Sequence, residues 1–145
     1  MAWLAGRDWG LADRPGATLL AGHVLDGDGA PVPDAMLEVA DAAGHFGRCL
    51  TDYAGHYSFV VMEPTSPGRG EAPHLEMSVF ARGLLQRLWT RVYFPDQTDA
   101  NAADPLLRSL PDPERLRTLV AQRDGDGLRF DVRLQGDRET VFLDW

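Results

Sequence analysis

The chain has 145 residues, 44% hydrophobic and 25% charged, with a formal charge of −8 from 14 basic and 22 acidic residues. This composition fits one soluble globular unit with a real core, and its net acidity argues against phosphate-backbone binding, which rests on Lys and Arg. A single cysteine, Cys49, excludes an internal disulfide and a Cys-cluster zinc site. No apolar run approaches the roughly 20 residues of a membrane helix. The opening MAWLAGRDWG carries charges and glycine where a secretory signal needs an apolar stretch, so a cytoplasmic location is expected.

Glycine and proline make up 25 of the 145 residues and punctuate β-branched and aromatic stretches, which reads as all-β. The first dozen residues, with Trp3 and Trp9, show no periodicity. Residues 1–16 are taken as an arm that could pack on a partner, and residues 17–145 as the folded domain. Strands are expected at Thr18–Leu25, Ala35–Val39, Gly47–Thr51 and His56–Met62. Turns separate them at Asp26–Gly29, Ala42–Gly44 and Asp52–Gly55, where Gly supplies positive φ and Asp bonds its own backbone. Pro64–Pro73 is an aperiodic loop. His74–Ala81 alternates Leu75, Met77, Val79 and Ala81 against His74, Glu76, Ser78 and Phe80, so it reads as a half-buried strand, and Leu85–Phe94 follows as another. Asp104–Leu107 and Pro113–Val120 read as helical turns, the second with Asp112 as N-cap and proline in the first turn. Leu128–Leu134 and Glu139–Leu143 are expected as final strands.

Few residues carry chemistry. His74 and Glu76 are two apart on a strand and share a face, so they could give two legs of a metal site. Without a third ligand, a polar stripe is the better reading. His23 reads as packed or paired, His45 and His56 as solvated. Cys49 has no second cysteine nearby and reads as a small buried hydrophobe. No nucleophile elbow, P-loop or dinucleotide fingerprint sits in a strand–turn–helix setting. Arg82 closes an apolar strand beside Gly83. A guanidinium there suits bidentate carboxylate binding, and equally suits an ordinary surface. Arg91 reads as a structural ion pair. The residues alone describe an acidic β-sandwich without a complete catalytic set.

Three stretches add a resemblance. GHVLDGDGAPVPDAMLEV followed by TDYAGHYSF is common to many β-sandwich modules. Ala72–Leu107, with FARG at Phe80–Gly83 and TRVYF at Thr90–Phe94, and the C-terminal stretch with LQG and ETVF-D, resemble the intradiol ring-cleaving dioxygenases. Within them the resemblance is to the non-catalytic α chains of the αβ enzymes that act on protocatechuate. It implies a β-sandwich of the intradiol type and a hetero-oligomer with an iron-bearing β chain. There two tyrosines and two histidines hold a non-haem Fe(III), and protocatechuate is cleaved to 3-carboxy-cis,cis-muconate. Of the family's His-x-His pair this chain keeps only His74, with Glu76 in the second place. Phe46 stands near the place of one tyrosine, and Pro67–Pro73 contains none. The resemblance therefore implies no metal and no catalytic residue here, and it gives Arg82 the role of binding the substrate carboxylate at the αβ interface. Residues 1–16 do not resemble the pocket-lining segment of the family. The competing reading is a stand-alone β-sandwich interaction module. An apolar outer face at Phe80, Trp89 and Tyr93 would favour the α chain. A metalloenzyme built on His74 and Glu76 is the third reading.

Overall fold

The computed structural model describes residues 15–144, so the expected arm lies almost wholly outside the described residues. The architecture is two packed sheets, the all-β sandwich expected.

One sheet is built on β1 (Ala17–Leu25), which pairs antiparallel with β4 (His56–Met62) from Ala17↔Met62 to His23↔His56. On its other side β1 pairs in parallel with β8 (Gly127–Arg129) and then β9 (Val132–Arg133), while β7 (Gln122–Asp124) closes the edge on β8. The second sheet runs β3 (Phe46–Leu50), β2 (Met36–Ala40), β5 (His74–Phe80), β6 (Leu88–Tyr93), antiparallel throughout.

The period-2 patterns explain the layering. Leu20 and Val24 of β1, Phe59 and Val61 of β4, Leu37 and Val39 of β2, and Leu75, Met77 and Val79 of β5 point inward into one core. Cys49 is buried in it, and burial pushes its thiol pKa up. A smaller cluster of Ala72, Tyr93, Leu107, Leu119 and Val141 lies outside the second sheet. Three short helices enclose it: α1 (Thr98–Ala103), α2 (Pro105–Arg108) and α3 (Pro113–Arg117). Asp104 caps α2 and Asp112 caps α3, each followed by proline at the first helical position.

Several expected elements differ. The strand expected over Leu128–Leu134 is split at Phe130 and Asp131. The Phe130 carbonyl crowds Gly22, where a Cβ would lie 1.9 Å from that oxygen. It also accepts the Tyr57 hydroxyl, so the parallel ladder is broken there. The segment Glu139–Leu143 is not a strand. Its backbone bonds go singly to separate partners: Thr140 N–H to Arg133, Val141 N–H to the Thr118 hydroxyl, and Leu143 N–H to Trp89. Strand β6 starts at Leu88 rather than Leu85, because residues 81–87 form the hairpin connection. The helix α1 and the exposed strand β7 lack the apolar periodicity that would have announced them.

Candidate functional site

Two places on the second sheet matter, one on its outer face and one at its end. Outward-pointing residues of β5 and β6 stand opposite each other as His74↔Tyr93, Glu76↔Arg91 and Ser78↔Trp89. Ser78 apart, they join one polar network, in which the Arg91 Nε is buried without a hydrogen-bond partner among the described residues. The buried His74 ring has Nδ1 2.8 Å from the Ala72 carbonyl and Nε2 3.2 Å from Glu76 Oε1. The indole N–H of Trp89 donates to Glu76 Oε2. Arg91 donates to Glu71 at 3.0 Å and to the Tyr93 hydroxyl at 3.0 Å, with its Nε 3.7 Å from Glu76. Tyr93 in turn donates to buried Asp104 at 3.1 Å.

The electrostatics follow from this geometry. Burial opposes ionisation of Glu76. The hydrogen bonds from His74 and Trp89 and the charges of His74 and Arg91 outweigh it, holding its carboxyl below the usual glutamate range. Burial pushes the Tyr93 phenol well up, which the bond from Arg91 offsets only in part. A shallow groove of about 460 Å³ beside the network is lined by Glu71, Trp89, Arg91, Leu106 and Leu143.

The other place is the β5–β6 hairpin. Gly83 takes φ +85° and turns the chain. Arg82 projects from it with 91% of its side chain exposed, and the Asp34 carboxylate stands 4.0 Å from its guanidinium. Leu85 on the same hairpin is fully exposed.

The structure thus treats the expected residues differently. His74 and Glu76 are brought together, but as partners of each other. Arg91 is the structural ion pair expected. His23 is paired, its ring 5.3 Å from that of His56 and its Nδ1 3.8 Å from Asp131, so His56 is not simply solvated. His45 is not free either: its Nδ1 lies 2.7 Å from Asp41. Of the proposed apolar face, Phe80 and Trp89 are half-buried but Tyr93 is fully interior. Asp104, Glu71 and Asp34 were missed. For Asp104 a signal existed, since Asp-Pro opens both α2 and α3.

No family model matches the chain. Over 150 residues it is 46% identical to the protocatechuate 3,4-dioxygenase alpha chain of Burkholderia cepacia, covering 87% of this chain and 76% of that one. To the alpha chain from Pseudomonas putida it is 41% identical, covering 92% and 79%. The chain belongs to the protocatechuate 3,4-dioxygenase α-chain family. The β chain from B. cepacia is also related, 30% identical over 81% of this chain and 64% of that one. The fold matches the dioxygenase domain of a carbohydrate-binding fusion protein from Streptomyces sp. SirexAA-E, with a TM-score of 0.63, 21% identity and coverage of 86% and 84%.

The resemblance implies iron in this family, and the described residues of this chain bring together no set that fits that metal. Among the described residues no group of three or more His, Cys, Asp or Glu is placed to hold an ion. Both ring nitrogens of His74 already face oxygens, and both Glu76 oxygens are engaged. Among the described residues, no helix is long and apolar enough to cross a membrane.

Proposed function

We propose that this α chain pairs with an iron-bearing β chain in an αβ hetero-oligomer that cleaves protocatechuate between its two hydroxyl-bearing carbons, giving 3-carboxy-cis,cis-muconate. The chain itself holds no iron. Its identity to two α chains over most of its length carries the reading, and the engagement of Glu76 by His74 and Trp89 supports it. Residues 17–145 make the sandwich unit and residues 1–16 an arm. Arg82 supplies the substrate-side cation. Its guanidinium is exposed to solvent with Asp34 4.0 Å away, and its N–H fork suits a substrate carboxylate.

The test is co-expression with the cognate β-like chain. Iron and ring cleavage are expected in the complex and not in this chain alone. Within the complex, Arg82→Ala should raise KM for protocatechuate about 10- to 100-fold, the scale of a lost charge-assisted hydrogen bond. Arg82→Lys should recover part of that loss. Stoichiometric iron on the isolated chain overturns the subunit reading. An unchanged KM in Arg82→Ala removes Arg82 from the pocket.

A further inference from the structure

A cavity of about 650 Å³ lies between α3 with the residues that follow it, the step from β8 to β9, and residues 137–140. None of its lining residues belongs to the outer network or to the Arg82 hairpin. Five arginines line it, Arg115, Arg117, Arg129, Arg133 and Arg138, in a chain whose net charge is −8.

Their partners divide these arginines into two groups. Arg117 is paired with Glu114, and Arg129 donates to Asp131 at 2.9 Å. The other three have no carboxylate partner among the described residues. Arg115 is half-buried and donates at 2.6 Å to a carbonyl, that of Glu139. The guanidiniums of half-buried Arg133 and exposed Arg138 make no hydrogen bond or ion pair among the described residues. Withdrawing a guanidinium from water without a counter-ion is costly, and 22 acidic residues were available to supply one. The backbone holds Arg115 and Arg133 in place. Arg133 N–H donates to the Thr140 hydroxyl at 2.9 Å, and Thr140 N–H to the Arg133 carbonyl at 3.0 Å. The Arg115 carbonyl accepts the Thr118 hydroxyl at 2.7 Å, and that hydroxyl takes the Val141 N–H at 3.0 Å. The segment 139–141 is thus tied to the α3 side through Glu139 and Val141 and to β9 through Thr140.

We propose that this cavity binds a small oxyanion, a carboxylate or a phosphate, through Arg115 and Arg133, with Arg138 adding charge. The proposal needs neither the αβ reading nor Arg82. A planar guanidinium matches two oxygens of such an anion, and arginines rooted in fixed backbone lose less freedom on binding. Of the carboxylates that line the cavity, Asp112, Glu114 and Asp131 are engaged by the α3 cap, Arg117 and Arg129. Asp137 and Glu139 are not paired with any of the three arginines. They oppose an anion, which makes the sign of the ligand testable.

The test titrates the full chain with inorganic phosphate and, separately, with succinate, by calorimetry at constant ionic strength and about pH 7, where every arginine is charged. A single saturable site per chain is expected for at least one of them, and the tighter of the two names the chemistry. Arg133→Gln and Arg115→Gln should each raise Kd about tenfold or more, the scale of a lost charge-assisted hydrogen bond. Arg133→Lys should recover part of that loss. Glu139→Gln should lower Kd, because it removes a like charge. Arg108→Gln, at the exposed end of α2 and outside the cavity, should change nothing. The Arg133 guanidinium bonds to nothing among the described residues, so Arg133→Gln should leave circular dichroism unchanged. No saturable binding of either anion below about 10 mM, or a Kd unchanged by Arg133→Gln, overturns the site. Weaker binding in Glu139→Gln overturns the assignment of an anion.

Discussion

Asp104 should be among the most costly polar residues to remove. It is fully buried at the joint between the outer network and the helices. Its Oδ1 accepts the N–H groups of Leu106 at 2.9 Å and Leu107 at 3.1 Å, and the Tyr93 hydroxyl at 3.1 Å. Its Oδ2 accepts the Ala72 N–H at 2.8 Å. Loss of the cap costs about 1 kcal/mol. Stranding the buried Ala72 N–H and Tyr93 O–H adds about 1 kcal/mol each at the low end of the usual range. Relief from burying a carboxylate offsets part of this, so Asp104→Ala should cost about 2–3 kcal/mol. In a chain of this length that is a fall in Tm of very roughly 4–12 °C. Asp112 is the internal comparison. It caps α3 through Glu114 N–H alone, at an exposed site, so Asp112→Ala should cost about 1 kcal/mol or less. Urea unfolding followed by tryptophan fluorescence compares the two. Equal losses for the two variants, or an Asp104→Ala loss under about 0.5 kcal/mol, would mean that the Tyr93 and Ala72 bonds carry no stability.

Two further outcomes follow from the same geometry. Gly22→Ala should lower stability by about 3 kcal/mol or more, because its Cβ would sit 1.9 Å from the Phe130 carbonyl and only backbone movement relieves that. A denaturation midpoint near wild type would refute the close approach. Glu76 titrates below its usual value, so its ionised form binds the fold more tightly than the neutral one. The advantage of wild type over Glu76→Gln should be full above about pH 4.5 and disappear as pH falls through the lower folded pKa. Urea midpoints of both proteins between about pH 3 and pH 7 measure this, and a gap that widens on acidification contradicts the sign.

Much of the sandwich was legible because its strands are half-buried. The alternation of Leu75, Met77 and Val79 against Glu76, Ser78 and Phe80 gives β5 both its identity and its inward face. Signal failed where pairing is not driven by a buried face. Gln122–Asp124 is wholly exposed and becomes a strand only because β8 lies beside it. Val141 and Thr140 have strand-like composition, but their backbone groups go to separate partners, so no ladder forms. At the site, spacing put His74 and Glu76 on one face. It could not show that Trp89 and Arg91, thirteen and fifteen residues from Glu76, also close on its carboxylate.

The two places on this chain cannot serve one reaction centre within the chain. Glu76, where a metal ligand of the family would stand, is separated from Phe80 by four residues of extended strand, about 13 Å at the usual rise, and Arg82 lies beyond it on the hairpin. Each Glu76 oxygen also takes a hydrogen bond. His74, Trp89 and Arg91 engage both its oxygens, and Arg91 is shared with Glu71, so opposite charges close on one another. These groups are paired with one another, no third ligand joins them among the described residues, and breaking any pair leaves a partly buried charge or dipole without its partner. Arg82 is the reverse case, a guanidinium exposed to solvent with one distant carboxylate. If it binds a substrate carboxylate, no group of metal-ligating side chains among the described residues stands beside it. Activity lost through Arg82 and activity lost through Glu76 should then separate cleanly, the first in KM and the second in stability alone.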